Sequence, residues 1–346
     1  MKKLHFISQA YVTMANATEK PSMDIDRILK KTGASDLGVG TLLVRFAKEK
    51  FFLSYLSYLM AKWRMPSDQI VILQFPFQYR IKQLYEHARA KGNKIIFLVH
   101  DIDELRGQNN RPYSYILQDA DAVILHTGKM KKWYEEKYHP VNPPVVLGIF
   151  DYLLPGETVR PKEDPQADKA SDDAGYKIVF AGNLGKSPFI YSLPESEKVS
   201  FYLYGPGIDA GRLSPHISYK GVVSPDEIIS LLPAYDFGLV WDGDSINECS
   251  GAWGEYLKVN APFKASSYLT SGIPVIVWDE MGLKDFVEAN KVGISVKSLN
   301  EIPERLSQIS AAEYAEMKEN ARAVSKKMRS GYYSGKAISE AVELLQ

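Results

Sequence analysis

Cysteine is almost missing from this chain. Cys249 stands alone among 346 residues, which excludes an intramolecular disulfide and fits a reducing compartment. Charge of one sign is missing as well: Lys+Arg and Asp+Glu number 42 each, so no net field draws the protein to nucleic acid or to an anionic surface. Long apolar runs are also absent. His5 and Gln9 break the opening segment before the apolar core of a signal peptide can form. The most apolar stretch, Thr41–Met65, is interrupted by Arg45, Lys48, Glu49 and Lys50, leaving about a dozen apolar-rich positions, too few to span a bilayer. A soluble, cytoplasmic protein is the expectation.

What is present alternates. The length exceeds one ordinary core and implies two domains. In the first half, strand signals at Leu4–Ser8, Gln69–Phe77, Lys94–Asp101, Ala122–Thr127 and Val145–Phe150 are spaced by helical patterns at Ser22–Lys31, Tyr79–Lys91 and Pro112–Asp119. That is the spacing of βαβ units and a parallel sheet. Ser22 is expected to cap its helix, with Asp24 and Asp26 in the first turns where the dipole favours them. Thr41–Met65 reads as a core helix whose surplus Phe and Tyr cover a partner subunit or touch lipid headgroups. Core packing plus contact within a homo-oligomer is the reading, with peripheral membrane contact as the other possibility. From Asp151 to Asp173 prolines, glycine and charges replace apolar residues, as in a linker. Strand signals restart at Tyr176–Ala181, Val199–Gly205, Ile217–Gly221, Asp236–Trp241, Pro274–Trp278 and Val292–Val296. Ser224-Pro225-Asp226-Glu227 opens a helix in the manner of a cap with Pro at the first helical position. An α/β fold with domains at 1–150 and 151–335 follows, two Rossmann-like halves facing across a cleft.

The chemistry falls where strands end. In a doubly wound sheet, ligands bind at the carboxyl edge, which makes Thr18, in the first β–α loop, a candidate contact. Phe180-Ala-Gly-Asn-Leu-Gly-Lys186 runs a strand into a glycine turn with a cation. Gly182 and Gly185 permit close backbone approach, and Lys186 suits a phosphate. The spacing fits neither a Walker A loop nor a dinucleotide fingerprint. Tyr204, before Gly205, is either a ring for stacking on a base or a half-buried strand-end tyrosine. Asn260, Lys264, Ser266 and Ser267 surround the start of a helix expected over Ala265–Thr270 and closed by Gly272, an anion and sugar-hydroxyl site in prospect. Of three Asp-x-Asp triplets, Asp24/Asp26 suits helix-dipole duty, while Asp101 and Asp242 end strands. A carboxylate at the edge where Asp101 stands can serve as a general base, the alternative being a cap on the turn into Ile102–Leu105.

Residues Gly254–Trp278 read Gly-Glu-Tyr-Leu-Lys-Val-Asn-Ala-Pro-Phe-Lys-Ala-Ser-Ser-Tyr-Leu-Thr-Ser-Gly-Ile-Pro-Val-Ile-Val-Trp. This resembles the C-terminal signature of a bacterial glycosyltransferase group, the β-1,6-galactofuranosyltransferases and the glucosyltransferases that extend glycans on serine-rich repeat adhesins. Val99-His-Asp101-Ile, Phe180-Ala-Gly-Asn-Leu and Phe237-Gly-Leu-Val-Trp-Asp242-Gly are similar to further motifs of the group. The resemblance implies a GT-B fold and a UDP-sugar donor held by the C-terminal domain. With Lys186 and Lys264 serving the phosphates and the Asp-x-Asp triplets not expected to gather there, no metal or other cofactor is expected. It implies a hexose (galactofuranose, glucose or galactose) passed to a glycan or glycoprotein acceptor. Tyr204, Asn260 and Lys264 would then contact the nucleotide, Gly182, Asn183 and Lys186 would lie beside the phosphates, and Gly205 and Asp242 are further candidate substrate-binding residues. It also implies that residues 336–346 pack back on the first domain. Two positions depart from the pattern. Phe263 stands where the group has His, and Ser267 stands where many GT-B enzymes carry a ribose-binding Glu. Two other readings fit the residues: a nicotinamide-dependent oxidoreductase, which lacks its acidic residue at Tyr204-Gly205, and a non-catalytic nucleotide-sugar-binding or partner subunit.

Overall fold

The computed structural model describes residues 2–12, 19–106, 114–154 and 175–346, in two compact units. The first comprises the chain to Asp151 together with Gly331–Gln346, and the second comprises Tyr152–Ser330. The division falls one residue beyond 150, and the returning C-terminal segment begins at Gly331, ahead of the expected 336. Thr18 and the proline-rich linker from 155 to 174 lie outside the described residues.

In the first unit the strands are β1 (Leu4–Phe6), β2 (Ala10–Val12), β3 (Ser35–Asp36), β4 (Leu42–Val44), β5 (Ile70–Phe75), β6 (Lys94–Val99), β7 (Ala122–Leu125) and β8 (Val145–Val146). Six of them form a parallel sheet in the order β3-β1-β5-β6-β7-β8, and β2 pairs with β4 alone. β5 reads Ile-Val-Ile-Leu-Gln-Phe and is buried throughout, as a parallel strand covered on both faces requires. Helices α1 (Lys20–Lys31), α2 (Ala47–Arg64), α3 (Ile81–Ala90) and α4 (Gly128–Tyr138) intervene, and the expected helix after Pro112 is described only as a 3-10 turn at Ser114–Leu117.

Two expectations change here. Ser22 does not cap α1. The helix starts at Lys20, places Pro21 in its first turn, and buries Ser22, Asp24 and Asp26. Asp24 serves an ion pair with Lys20 rather than the helix dipole, and Asp26 accepts side-chain hydrogen bonds. α2 is not a core helix either. Its inward positions are Ser54, Ser57, Tyr58 and Ala61, and its large apolar residues are mostly exposed.

The second unit carries β9 (Tyr176–Ala181), β10 (Val199–Tyr204), β11 (Ile217–Tyr219), β12 (Phe237–Val240), β13 (Val275–Trp278) and β14 (Gly293–Val296) in one parallel sheet ordered β11-β10-β9-β12-β13-β14. Its helices are α5 (Pro225–Leu231), α6 (Gly251–Leu257), α7 (Phe263–Thr270), α8 (Lys284–Asn290), α9 (Ile302–Ser307) and α10 (Ala311–Ser330). Ser224 caps α5 as expected, its Oγ accepting from the Glu227 N–H at 3.1 Å. α11 (Tyr332–Glu343) returns to the first unit, where it packs on α1, β7 and β8. Asp151 receives the Tyr333 and Ser334 N–H groups at the start of α11, at 3.3 and 2.6 Å. Burial pushes its carboxyl up to about 6.

Both sheets have a point where the strand order reverses. It lies between β1 and β5 in the first unit and between β9 and β12 in the second. Ligands of doubly wound sheets bind outside the carboxyl ends of the strands at such a point.

Candidate functional site

The second unit builds a cationic site at its reversal point. α7 lies across β12 because Gly238 has no side chain. A Cβ there would stand 2.2 Å from Tyr268 Cγ. The Tyr268 hydroxyl in turn accepts from the Ala181 N–H at the end of β9, at 2.8 Å. Lys264 sits one helical turn before Tyr268 and so points to the same strand ends. Its Nζ donates to the Trp241 carbonyl oxygen at 2.8 Å, lies 3.5 Å from Asp242 Oδ2, and stands 4.7 Å over the Phe180 ring. An ammonium is thus fixed at the first turn of a helix, between the ends of β9 and β12. Ammonium and helix N-terminus both favour an anion.

The glycine turns beside it interlock. Gly182 N–H donates to the Tyr204 carbonyl oxygen at 3.0 Å, and Leu184 N–H to that of Pro206 at 2.9 Å. Gly205 adopts φ +136°, and a Cβ on it would fall 1.7 Å from the Gly182 oxygen, so no other residue fits. Asn183 and Lys186 are exposed on this edge, with Lys186 Nζ 5.5 Å over the Trp253 ring. Asn260 lies in the turn between α6 and α7, its N–H donating to the Tyr256 carbonyl oxygen at 3.0 Å. Ser266 Oγ is buried without a hydrogen-bond partner among the described residues, whereas Ser267 Oγ turns back to the Phe263 carbonyl oxygen at 3.4 Å. The Phe263 ring, in the place of the group's His, stacks on Tyr152 at 5.2 Å.

Tyr204 departs from the expected base contact. It is 8% exposed and its hydroxyl meets that of Tyr235 at 2.8 Å. A ring packed in this way offers no open face to a base, so it is the strand-end residue.

The first unit fills its reversal point differently. A cavity of about 270 Å³ opens there, lined by Gln9, Tyr11, Glu19, Ser22, Lys50 and Phe77. Gln9 ties the end of β1 to the loop after β5, donating to the Phe77 carbonyl oxygen at 3.4 Å and accepting from the Tyr79 N–H at 2.9 Å. Glu19 is ion-paired with Lys50 and accepts from the Val12 N–H at 3.0 Å. Behind this wall lies a buried polar network. Asp26 accepts from the Tyr11 hydroxyl at 2.8 Å, from the Gln9 N–H at 3.3 Å and from Gln74 Nε2 at 2.7 Å. Burial outweighs these bonds and pushes its carboxyl up to about 8. His100 donates from Nε2 to Gln74 Oε1 at 2.7 Å and stacks on Phe150 at 5.1 Å. Burial first, then the neighbouring His126, pushes its imidazole down to about 3, so it is neutral at physiological pH.

Asp101 does not open on this cavity. Arg106 holds its Oδ2 in an ion pair, and its Oδ1 is closed from solvent with no partner among the described residues. Asp101, expected as a base, is thus engaged by Arg106 and is not the carboxylate that lines this cavity. Glu19, Lys50 and Phe77 were missed in the sequence. Asp24 and Asp26 are spent on Lys20 and on Tyr11 and Gln74, and Asp101 and Asp242 on Arg106 and Lys264. Among the described residues no three His, Cys, Asp or Glu side chains gather as a metal-ligating group.

With this geometry in view, two family models match: the glucosyltransferase 3-like N-terminal domain over residues 5–149, and the glucosyltransferase 3-like C-terminal domain over residues 178–341. The chain belongs to the glucosyltransferase 3-like family. It is similar to the β-1,6-galactofuranosyltransferase WbbI of Escherichia coli, 35% identical over 286 residues and 82% of each chain. Glucosyltransferase 3 of Streptococcus parasanguinis is 26% identical over 321 residues, 90% of this chain and 89% of that one. Among solved structures, Anabaena Alr3699/HepE in complex with UDP and glucose matches with a TM-score of 0.54 at 12% identity, covering 99% of this chain and 100% of that one. This glucosyltransferase 3-like protein is a glycosyltransferase of the GT-B fold. No helix among its described residues is long and apolar enough to cross a membrane.

Proposed function

We propose that the protein transfers a hexose from a uridine-diphosphate sugar to a hydroxyl of a glycan or glycoprotein acceptor, without a metal ion. The observation that carries this reading is Lys264, whose ammonium stands at the first turn of α7 between the ends of β9 and β12. A diphosphate leaving group develops charge as its bond to the anomeric carbon breaks. A fixed cation and helix N–H groups stabilise that charge without reorganising. Asp242 holds Lys264 in position until a phosphate takes over. The relative at 35% identity is a galactofuranosyltransferase, which favours galactofuranose over glucose or galactose as the sugar moved.

The cavity of the first unit suits the acceptor. Phe77 offers an apolar face for a sugar ring, and Ser22, Tyr11 and Glu19 offer polar groups to its hydroxyls. Glu19 is the carboxylate on that cavity. It takes the proton of the acceptor hydroxyl as the hydroxyl oxygen bonds to the anomeric carbon and UDP departs with the bonding pair. Lys50 holds it in place. Calorimetry against UDP, UDP-glucose, UDP-galactose, UDP-galactofuranose and NAD tests the reading. The UDP compounds are expected to bind, with UDP-galactofuranose consumed fastest when acceptor is added. Binding of NAD in preference to all of them would overturn it.

A further inference from the structure

α2 wears its apolar side outward. Ser54, Ser57, Tyr58 and Ala61 pack inward, while Phe51, Phe52, Tyr55, Leu56, Leu59 and Trp63 are exposed, Phe51 to 65% and Trp63 to 83%. Leu43 and Phe46, just ahead of the helix, extend the same exposed patch. So much contiguous apolar surface on a folded chain marks a contact face.

Charge decides what covers it. From Phe51 to Ala61 the helix has no ionisable residue except Tyr55 and Tyr58. Arg45 and Lys48 border that belt at one end and Lys62 and Arg64 at the other, against Glu49, while Lys50 is turned to Glu19 and the cavity. The Arg80 guanidinium adds a cation at the middle, 5.7 Å over the Tyr55 ring. The chain as a whole has no net charge, so this excess is local. A second copy placed on the face by two-fold symmetry would set cations against cations, whether the helices run parallel or antiparallel. An anionic lipid surface neutralises both ends at once, and the aromatic belt between them matches the headgroup boundary, where Trp and Tyr rings settle.

We propose that the outer face of α2 seats the protein peripherally on anionic phospholipid. Its Phe and Leu side chains lie below the headgroups and its Lys and Arg side chains lie against the phosphates. Sedimentation of the full chain with vesicles tests this. Wild type is expected to partition at least tenfold more onto phosphatidylcholine vesicles containing phosphatidylglycerol than onto phosphatidylcholine alone, given roughly fivefold per cation engaged. The difference should shrink as salt is raised. Lys48→Glu with Lys62→Glu should abolish the preference for anionic lipid, and Phe51→Ser with Phe52→Ser and Trp63→Ser should abolish binding to both. All five positions are exposed, and melting temperatures check that the variants fold. Equal wild-type partition onto the two lipids, or none, overturns the proposal whatever the variants do. A stable oligomer in sedimentation equilibrium that the three serines dissolve would overturn it in favour of a second copy.

Discussion

The two reversal points share a backbone plan and oppose one another in electrostatics. Between β9 and β12 the second unit fixes an ammonium, Lys264, beside glycine turns and a helix N-terminus. Between β1 and β5 the first unit fixes a buried acid pushed up to about 8, an imidazole pushed down to about 3, and an ion-paired Glu19 beside Phe77. The first arrangement attracts a polyanion. The second keeps its buried groups neutral near pH 7, and its open face suits an uncharged, hydroxyl-rich ring. One fold drawn twice therefore does not mean one ligand bound twice. In the proposed function the side chains at each strand edge divide the labour, with donor on one unit and acceptor on the other.

The sharpest way to break this division is at Glu19. Glu19→Gln keeps the size of the side chain and removes its basicity. Turnover should fall by roughly 10²–10⁴-fold with UDP affinity unchanged. Asp101→Asn should cost much less turnover, because Arg106 already occupies that carboxylate. Steady-state rates for the two variants side by side decide between them. A larger loss at Asp101 would return the base to the end of β6.

Lys264→Ala tests the other unit. The ammonium contributes a charge-assisted hydrogen bond of about 1.5–3 kcal/mol, so UDP affinity should drop about tenfold or more. Calorimetry that found wild-type affinity would remove Lys264 from the donor site. The variant should leave acceptor binding untouched, as the comparison of the two units requires.

Much of this was legible in the sequence, and the failures have physical causes. Tyr176–Ala181 and the cap at Ser224 appear as expected because β-branched runs and cap chemistry are local signals. Lys264 was expected just ahead of a helix over Ala265–Thr270, and α7 starts two residues earlier, at Phe263, which puts the lysine in its first turn. α2 was misread because the size and apolarity of Phe51, Phe52 and Trp63 do not reveal which side of a helix the sheet covers. The small Ser54, Ser57 and Ala61 at four- and three-residue spacing held that information. Tyr204 and Asp101 stand at strand ends as expected, but their partners Tyr235 and Arg106 are set by folding. Glu19 carried no signal in the sequence. It becomes visible only once β1, β5 and α2 bring Phe77 and Lys50 beside it.

The buried acid gives the first unit a pH signature that the second lacks. The Asp26 carboxyl lies at about 8 in the folded chain against 3.8 when exposed, so between those values the native state holds a proton that the unfolded state has released. Stability from this group therefore falls as pH rises from about 4 to about 8, by about 1.4 kcal/mol per pH unit. His100 works in the opposite sense. Its value is lowered from 6.5 to about 3, so its contribution is intact above 6.5 and is lost as pH falls. The decline due to Asp26 should emerge clearly between about pH 6.5 and 8. Asp26→Asn should flatten that window in denaturant titrations, while Lys264→Ala leaves its slope alone.

The smallest expected effect concerns metal. A divalent ion in a glycosyltransferase neutralises the leaving diphosphate, and carboxylates must hold the ion. Here Asp242, the acid nearest the anion site, is paired with Lys264, so the positive charge is already supplied by the chain. A cation brought to the same place would have to displace that ammonium from its carboxylate. Excess EDTA should therefore leave transfer rates unchanged, and added manganese or magnesium should not raise them. Loss of activity on chelation, restored by either ion, would mean that Asp242 is a metal ligand during turnover. The electrostatic contrast between the two reversal points would then rest on an ion rather than on Lys264.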